Sequence, residues 1–461
     1  MSISYLTLLS TFACFLVCMV SKWRKTRQAL AEINHFPGER TLFGIASLMG
    51  NILPRIPYVT LGRNYSWRTK HRVFERQGSG IYGIASVFPA TSYYLLADPA
   101  GVKHVSYSHN NFVKDTDEYT ILKGFGSNLL VVEGDEWKRQ RRIAAPAFSD
   151  KNNRLVWDTA KQFVEQMIDT WEPKKSTIVH DVNEDLALPL SLCVISKAGF
   201  GQDISVGTDA IPTGHKLTFK DALTTASKTM HLPLMLPNWA WRFRKGWTHA
   251  KQAHDELRLY LREMIRARRE LKEQQMQDLI EDKYDLFNQL VYARDAKDML
   301  SEDELIGNVF IFLIAGHETT AHTFAIILAL MALYPEVQEK LAKQVQELES
   351  EHGVLNYSHI HLLTYAIAIV YETLRLFPMV GLMPKKATEN TTFTVGFPPF
   401  TQTLQVPAST KVLVFSTGLH YDPSYWENPD EFNPDRFMDS HWNRDAFIAF
   451  SLGPRACIGR R

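Results

Sequence analysis

The sequence predicts a mainly α-helical protein with a minor β portion, arranged as one large domain behind an N-terminal transmembrane helix. Helical periodicity dominates residues 135–350, with charges on one face, as in HDELRLYLREMIRARRELKEQQ. Shorter runs rich in β-branched and aromatic residues, GIYGIASVF, TSYYLLAD and TKVLVFS, predict a few strands. The uncharged apolar run at residues 3–20 is long enough to cross most of a bilayer as a helix.

The charge balance and the cysteines exclude two classes of protein. The 461 residues contain 51 Lys and Arg against 50 Asp and Glu, a net charge of +1, which argues against a nucleic-acid-binding protein. Cys14 and Cys18 lie in the apolar N-terminus, and Cys193 and Cys457 are isolated. This spacing indicates neither a disulfide framework nor a paired Cys-x-x-Cys metal site, so the body is expected in a reducing compartment.

The N-terminus reads as a membrane anchor. A cluster of basic residues (22–27) follows the apolar run, whereas a cleaved signal peptide normally carries its positive charges before the run. By the positive-inside rule, the following chain faces the cytosol. We therefore predict an anchor at 1–21, a basic linker at 22–36 and a catalytic domain at 37–461. A signal peptide is the alternative, because serine and threonine dilute the run.

The first elements of the body are strands and a capped helix. Two short strands are expected on either side of Pro89. Asp98 and Pro99 then supply an N-cap and a first-turn proline for a helix that should reach about Ser106.

The segment 301–337 is unusually apolar and long. Ser301 and Glu304 predict a capping box and Pro335 a stop, with about 30 residues of helix between them. A second membrane span is the alternative, but His317 and Glu318 lie at its middle, where a charge in lipid costs several kcal/mol. We therefore predict a buried central helix with a polar site at its midpoint.

That midpoint is AGHETTA. Ala315 and Gly316 lack bulk and would let a ligand approach the helix backbone. Glu318 beside Thr319 pairs an acid with a hydroxyl, a short proton-relay arrangement. A helix kink with a satisfied buried glutamate is an equally acceptable interpretation of this motif alone.

Two further motifs pair charged side chains at helical spacing. In YETLRLFP, Glu372 and Arg375 share a helix face among apolar neighbours, and Arg436 of FNPDRF is a candidate third member. In GDEWKRQRR, Trp137 and Arg141 are four residues apart and could meet a ligand carboxylate. An exposed cation–π pair is the simpler interpretation of the second motif.

The segment FSLGPRACIG places Cys457 in a glycine-flanked loop beside Arg455. Gly453 and Gly459 permit tight turns and a close approach to a flat ligand. A helix expected after the loop would lower the pKa of the thiol. A lone thiolate suits an axial haem ligand better than a zinc site, which normally has four protein ligands. A nucleophilic cysteine is the alternative, without a local signature.

Together these motifs resemble those of the cytochrome P-450 monooxygenases, and the overall sequence pattern is similar to that of fungal members. FSLGPRACIG resembles the family's haem loop, AGHETT its oxygen-binding helix, ETLR its ExxR pair, NPDRF a variant of its PERF loop and WKRQR its WxxxR motif. The five motifs occur in the family's order, and the resemblance covers roughly residues 37–461. It implies the cytochrome P-450 fold.

The resemblance also implies residue roles. Cys457 would be the axial thiolate ligand of haem b iron, and Thr319 and Glu318 would deliver protons beside a groove left by Ala315 and Gly316. Glu372, Arg375 and Arg436 would stabilise the proximal side. The remaining cofactor-binding candidates are Trp137, Arg141, Arg455 and His420 at the propionates, Phe450 and the glycines 453 and 459 around the sulfur, and Lys385 as a weaker candidate.

The implied activity is insertion of one oxygen atom from dioxygen into an apolar, terpenoid- or lipid-like molecule, as in secondary metabolism. Electrons would come from NADPH through a cytochrome reductase that docks on Lys138, Arg139 and Arg142. The resemblance places the protein at the endoplasmic reticulum, single-pass, with a cytosolic catalytic domain. One alternative is a reductase-independent haem-thiolate isomerase or peroxygenase, against which the Glu318–Thr319 pair argues.

The second alternative is an inactive remnant. In the family a long helix follows the axial cysteine, whereas only four residues follow Cys457 in this sequence. We therefore expect either a C-terminally truncated product or a chain that binds haem poorly, since four residues cannot form a stable helix.

Overall fold

The computed structural model describes residues 3–171, 176–201, 210–273, 285–292, 299–396 and 401–460. Two compact units contain the chain: unit 1 is Met1–Asp115 with Tyr371–Cys457, and unit 2 is Thr116–Val370 with Ile458–Arg461. The two units follow from strand pairing, because strands from both ends of the sequence share one sheet and one core, while the helical middle has its own core. The single large domain stays a prediction.

Unit 1 is built on a six-stranded sheet in the order β1-β2-β3-β8-β5-β4, and β6 and β7 form a separate two-stranded sheet. The strands are β1 Gly38–Phe43, β2 Ile81–Phe88, β3 Ala90–Leu96, β4 Phe112–Lys114, β5 Leu382–Ala387, β6 Thr391–Val395, β7 Gln402–Val406 and β8 Lys411–Phe415. The parallel pairing of β3 with β8 joins the two chain segments, with Tyr93 opposite Lys411. The three predicted strands are confirmed as β2, β3 and β8.

The helices account for most of the remaining structure. Those of unit 1 are α1 Ile3–Glu32, α2 Leu48–Ile52, α3 Tyr65–Thr69, α4 Arg72–Gln77, α5 Pro99–Tyr107 and α16 Ser416–His420. Those of unit 2 are α6 Gly134–Ala144, α7 Asp150–Asp169, α8 Leu188–Val194, α9 Phe219–Lys228, α10 Leu232–Met235, α11 Lys245–Glu273, α12 Leu286–Val291, α13 Glu302–Leu333 and α14 Pro335–His352. Helix α15, Thr364–Leu376, carries the chain from unit 2 back into unit 1. The mainly α class with a minor β portion is confirmed.

Helix α5 shows the capping that the sequence predicts. The Asp98 carboxylate accepts a hydrogen bond from the Gly101 amide at 2.7 Å, and Pro99 occupies the first turn. The helix ends at Tyr107, one residue beyond the expected end.

Helix α1 does not divide where the sequence suggested. It runs from Ile3 to Glu32 across the expected anchor–linker boundary, because no glycine or proline interrupts residues 3–36. Ile33 is fully buried in the unit 1 core, and the Thr410 hydroxyl donates to the Glu32 carbonyl at 2.9 Å. The last part of the expected linker therefore belongs to the folded body. Membrane insertion of residues 3–20 stays a prediction.

Helix α13 is the predicted long helix. The Ser301 hydroxyl and the Glu304 side chain form the expected capping box, and the helix ends at Leu333, before Pro335. Among the described side chains, those of α13 alone have the length and hydropathy of a membrane span. However, a Cβ on Gly307 would lie 2.3 Å from the Ser127 carbonyl oxygen, and Asn308 accepts from the Leu129 amide at 3.0 Å. Such close polar backbone contacts favour a core helix over a lipid-exposed one.

Candidate functional site

The loop that carries Cys457 is closed by its own backbone. The Cys457 amide donates to the Phe450 carbonyl oxygen at 2.9 Å, and Gly453–Arg455 form a short 3₁₀ turn inside the loop. The Cys457 side chain is exposed, whereas the preceding Ala456 is buried. The loop therefore anchors its backbone in unit 1 and presents the thiol at the surface.

The two loop glycines have different roles. Gly453 has φ +69°, and a Cβ there would lie 2.5 Å from the Ser106 carbonyl oxygen at the end of α5. Among the described residues, a Cβ on Gly459 would meet only the Phe148 ring, at 3.5 Å. Gly453 is thus required by the turn and its packing, whereas Gly459 leaves space. Residues 458 and 459 form a turn and not the expected helix.

Three charged residues form a buried network in unit 1. The Arg375 guanidinium donates to both Glu372 carboxylate oxygens, at 2.7 and 2.8 Å, and Arg436 donates to one of them at 3.1 Å. Glu372 and Arg375 are both 0% exposed. Arg375 also donates to the carbonyls of His420 and Pro429, each at 2.8 Å. The guanidinium thus has the additional acceptors that burial demands.

His420 does not have the position that we expected. It is fully buried, its Nδ1 donates to the Arg375 carbonyl at 3.0 Å, and its Nε2 accepts from the Ile448 amide at 2.9 Å. Burial lowers the pKa of His420 to about 3, so the ring stays neutral. The expectation of a haem propionate contact is wrong, because backbone groups occupy both ring nitrogens. His420 instead links the Arg375 helix to the loop before Phe450.

An aromatic cluster that the sequence analysis does not predict packs around His420. The His420 ring stacks on Phe447 at 5.4 Å, and Phe447 packs against Trp442 and Tyr371 at 5.9 and 5.3 Å. Phe437, beside Arg436, contacts Trp442 at 4.9 Å. The dense aromatic spacing in RFMDSHWNRDAF is the signal that could have predicted the cluster.

In unit 2, the midpoint of α13 exposes part of one face. Ala315 and Thr319 are exposed, whereas residues 304–314 are buried. The Thr319 hydroxyl donates back to the Ala315 carbonyl at 2.7 Å. Gly316 differs from expectation, because a Cβ there would lie 3.0 Å from the Ile195 side chain. The space beside Gly316 is therefore filled by Ile195 and is not the open groove that we expected.

Glu318 is half-buried beside Thr319. Burial raises the pKa of the Glu318 carboxyl above its usual value, and the positive charges of His322 and Lys228 partly oppose that rise. A carboxyl whose pKa is raised holds its proton to a higher pH than an exposed glutamate does, which is the direction that a proton relay requires.

The WxxxR motif lies on α6. The Trp137 ring is 7% exposed, and the Arg141 guanidinium carbon lies 5.9 Å from the ring centroid. The cation–π contact of the alternative interpretation is present, but its ring is buried and not exposed. Lys385, the weaker propionate candidate, is buried in β5 opposite Val412.

The predicted basic docking face contains Arg139, which is not available. Arg139 forms an ion pair with Glu304 of α13 and donates to the Met299 carbonyl at 3.0 Å. Lys138 is mostly exposed and pairs with Asp135 at 2.9 Å, and Arg142 is exposed. The face is thus reduced to Lys138 and Arg142, because the carboxylate at the start of α13 attracts the arginine between them.

The surroundings of Cys457 do not fit a metal site made of protein ligands alone. Across the described residues, no group of three or more His, Cys, Asp and Glu side chains is placed to hold a metal ion. Zinc normally requires three or four such ligands. A haem brings four nitrogen donors of its own and needs only one thiol side chain from the protein, and the loop presents the exposed Cys457.

Comparison with known proteins agrees with this donor set. The sequence model described as Cytochrome P450 matches residues 68–461. The chain belongs to the cytochrome P450 family. Cytochrome P450 monooxygenase 124 of Postia placenta is 40% identical over 450 residues, which cover 94% of this chain and 84% of that protein. The family prediction is confirmed.

More distant P450s align over similar lengths. Cytochrome P450 monooxygenase ORF6 of Penicillium roqueforti is 29% identical over 86% of this chain and 75% of its own length. Cytochrome P450 4Z1 of Homo sapiens is 26% identical over 81% of this chain and 74% of its own length. Membership of the P450 family implies haem as the cofactor and a monooxygenase as the enzyme class.

Proposed function

We propose that this P450 inserts one oxygen atom from dioxygen into an apolar small molecule, with NADPH electrons passed by a separate reductase. The observation that carries the proposal is the exposed Cys457 thiol on a loop whose backbone is closed by the hydrogen bond from Cys457 to Phe450. The names of the fungal relatives support monooxygenase chemistry.

The Cys457 loop and the residues that support it would hold the haem on its thiolate side. Haem bound through Cys457 supplies the oxygen-activating chemistry. The hydrogen bond from the Cys457 amide to the Phe450 carbonyl oxygen holds the loop backbone that carries the sulfur, and Phe450 would shield the sulfur from water. Arg455 would pair with a propionate, and Gly459 would leave room for the porphyrin. The Glu372–Arg375–Arg436 network would keep the loop support rigid.

Residues of unit 2 would serve the other functions. Trp137 and Arg141 would bind propionates through an indole N–H and a guanidinium. Ala315 would leave space for dioxygen, and Glu318 and Thr319 would move protons. The Thr319 hydroxyl donates to the Ala315 carbonyl. The lone pairs of its oxygen therefore point away from that carbonyl and can accept a hydrogen bond from a proton donor.

The proposal extends to location and substrate. Residues 3–20 of α1 would anchor the protein in the endoplasmic reticulum membrane, with the basic segment after it on the cytosolic side. Lys138 and Arg142 would contribute to reductase docking. The substrate class that we favour is a terpenoid-like intermediate of secondary metabolism, because the segment 379–383 and much of α13, both of which we expect at the pocket, are apolar.

The test is reduced carbon monoxide difference spectroscopy on the full chain in microsomes. We expect the Soret band of a thiolate-ligated haem in the wild type and its loss in Cys457→Ala. Cys18→Ala is the matched control, because Cys18 is also exposed but lies on α1. A wild type without the band would support an inactive remnant and overturn the proposal.

The source of electrons distinguishes the proposed monooxygenase from a reductase-independent isomerase or peroxygenase. We expect substrate oxidation to require NADPH and reductase. Turnover of a hydroperoxide with neither of them, and no NADPH-dependent oxidation, would indicate an isomerase or peroxygenase instead.

A further inference from the structure

One position on α13 adjoins both members of the acid–alcohol pair. His322 lies four residues after Glu318 and three after Thr319. With 3.6 residues per turn, it is about 40° from Glu318 and about 60° from Thr319 around the helix axis, one turn further along. The equivalent position one turn earlier is Ala315, which has no polar side chain.

The orientation of the His322 ring is fixed. Its Nδ1 lies 2.6 Å from the carbonyl oxygen of Glu318. Because a carbonyl can only accept, Nδ1 carries a hydrogen, and Nε2 is the atom that can take up and release a proton. The residue is exposed, so it can exchange protons with water.

The other charged groups near Glu318 are poor proton donors. Lys228 of α9 faces Glu318 and is held at 2.8 Å by Glu184 of the π-helical segment Val182–Ala187. A lysine ordinarily keeps its proton far above neutral pH. His317 is buried, and its Nδ1 bonds the Leu313 carbonyl at 3.0 Å. Burial lowers the pKa of His317, which disfavours its protonated form. Imidazole in water, by contrast, ordinarily exchanges a proton between about pH 5 and 8.

We propose that His322 is a positioning residue that acts through Glu318. It passes protons from solvent to the Glu318 carboxylate. This rests on the proposed function. An imidazolium Nε2–H gives its proton to a Glu318 carboxylate oxygen, directly or through one water. The resulting carboxylic acid passes this proton on towards the Thr319 hydroxyl. The neutral imidazole then regains a proton from water. Only protons move in these steps, and the electrons come from NADPH through the reductase.

The first test uses the full-length enzyme with NADPH and reductase, without substrate. Two electrons and two protons convert dioxygen to hydrogen peroxide, whereas four of each convert it to water. We expect His322→Gln to raise the peroxide released per NADPH and to weaken the dependence of that ratio on pH. His361→Gln, at an exposed histidine of unit 2, should change neither quantity.

The second test does not depend on turnover. The infrared band of the protonated Glu318 carboxyl, assigned by its loss in Glu318→Gln, is followed against pH in the enzyme without NADPH. We expect His322→Gln to raise the pKa of Glu318 further, because a positive charge is lost. His322→Lys should keep the charge and the Glu318 pKa but behave like His322→Gln in peroxide release, since lysine exchanges protons too slowly at neutral pH.

The two tests separate the proposal from the function beneath it. A wild type that consumes no NADPH would overturn the proposed function, and the infrared shift would still decide whether His322 is coupled to Glu318. If His322→Gln leaves both the peroxide ratio and the Glu318 pKa at wild-type values, the His322 proposal is wrong.

Discussion

Glu372 and Arg375 form a two-bond ion pair in which neither side chain has any exposed surface. The pair is three residues apart on α15, and its spare hydrogen-bonding capacity is used by Arg436 and by backbone carbonyls of the segment 420–431. One short helical motif thus fixes the chain that leads to the Cys457 loop.

Breaking this pair from one side should be severe. We expect Glu372→Ala to lower the free energy of unfolding by about 3–5 kcal/mol, because it leaves a buried guanidinium without its carboxylate. Urea unfolding measures this value. Lys161→Ala is the matched control, since its pair with Glu165 is exposed and 3.9 Å long, and should change the free energy by less than about 1 kcal/mol. Equal effects of the two variants would contradict the prediction.

Acid should destabilise the protein in part through His420. Because burial lowers the pKa of His420 to about 3, the unfolded chain binds the extra proton first as the pH falls. Stability is therefore lost as the pH drops below the ordinary histidine value of about 6.5, by about 2 kcal/mol between pH 7 and pH 5.

The measurement is the urea midpoint of wild type and His420→Asn at pH 7 and pH 5. We expect the variant to be less stable at pH 7 but to lose less on acidification. His361→Asn is the control and should follow the wild type. A His420→Asn curve parallel to that of the wild type would show that the ring titrates normally.

His215 should have the opposite pH dependence. Its ring stacks on Tyr260 at 3.6 Å and bonds Glu256 and Glu263, each at 2.9 Å. Burial by itself would lower the pKa of His215, but the two carboxylate bonds outweigh it and raise the pKa. This contribution to stability is therefore complete below the ordinary histidine pKa and is lost as the pH rises through the raised value.

Hydrogen exchange of the segment 210–218 measures this contribution directly, because His215 attaches the segment to α11. We expect protection to fall at alkaline pH in the wild type and to be low at all pH values in His215→Gln. Protection that is independent of pH in the wild type would argue against the ion pairs.

The glycines of the Cys457 loop should respond differently to alanine. Gly453→Ala places a Cβ at positive φ and 2.5 Å from the Ser106 carbonyl, so we expect a loss of at least about 2 kcal/mol. Gly459→Ala meets no atom closer than 3.5 Å, and its effect on unfolding should stay within about 0.5 kcal/mol. Thermal unfolding of the two variants compares them, and similar losses would show that Gly453 has no special role.

Much of the chemistry could be predicted from local sequence because its residues are close along the chain. The capping box of α13, the Glu372–Arg375 spacing and the Glu318–Thr319 pair need only helical geometry, which the surrounding periodicity predicts. The glycine-flanked cysteine was similarly recognisable from composition. Family membership followed from five such local motifs in order.

The errors concern contacts between distant segments. Nothing near HYDP shows that the Ile448 amide will bond His420 Nε2. Nothing near WKRQR shows that Glu304 will pair with Arg139. Nothing in AGHETT shows that Ile195 will fill the space at Gly316. The sequence by itself determined the motifs and their chemistry, since each depends on residues within one or two turns. Only the tertiary structure decided which side chains remain available to a ligand, because burial and hydrogen-bond partners are set by segments far apart in the chain.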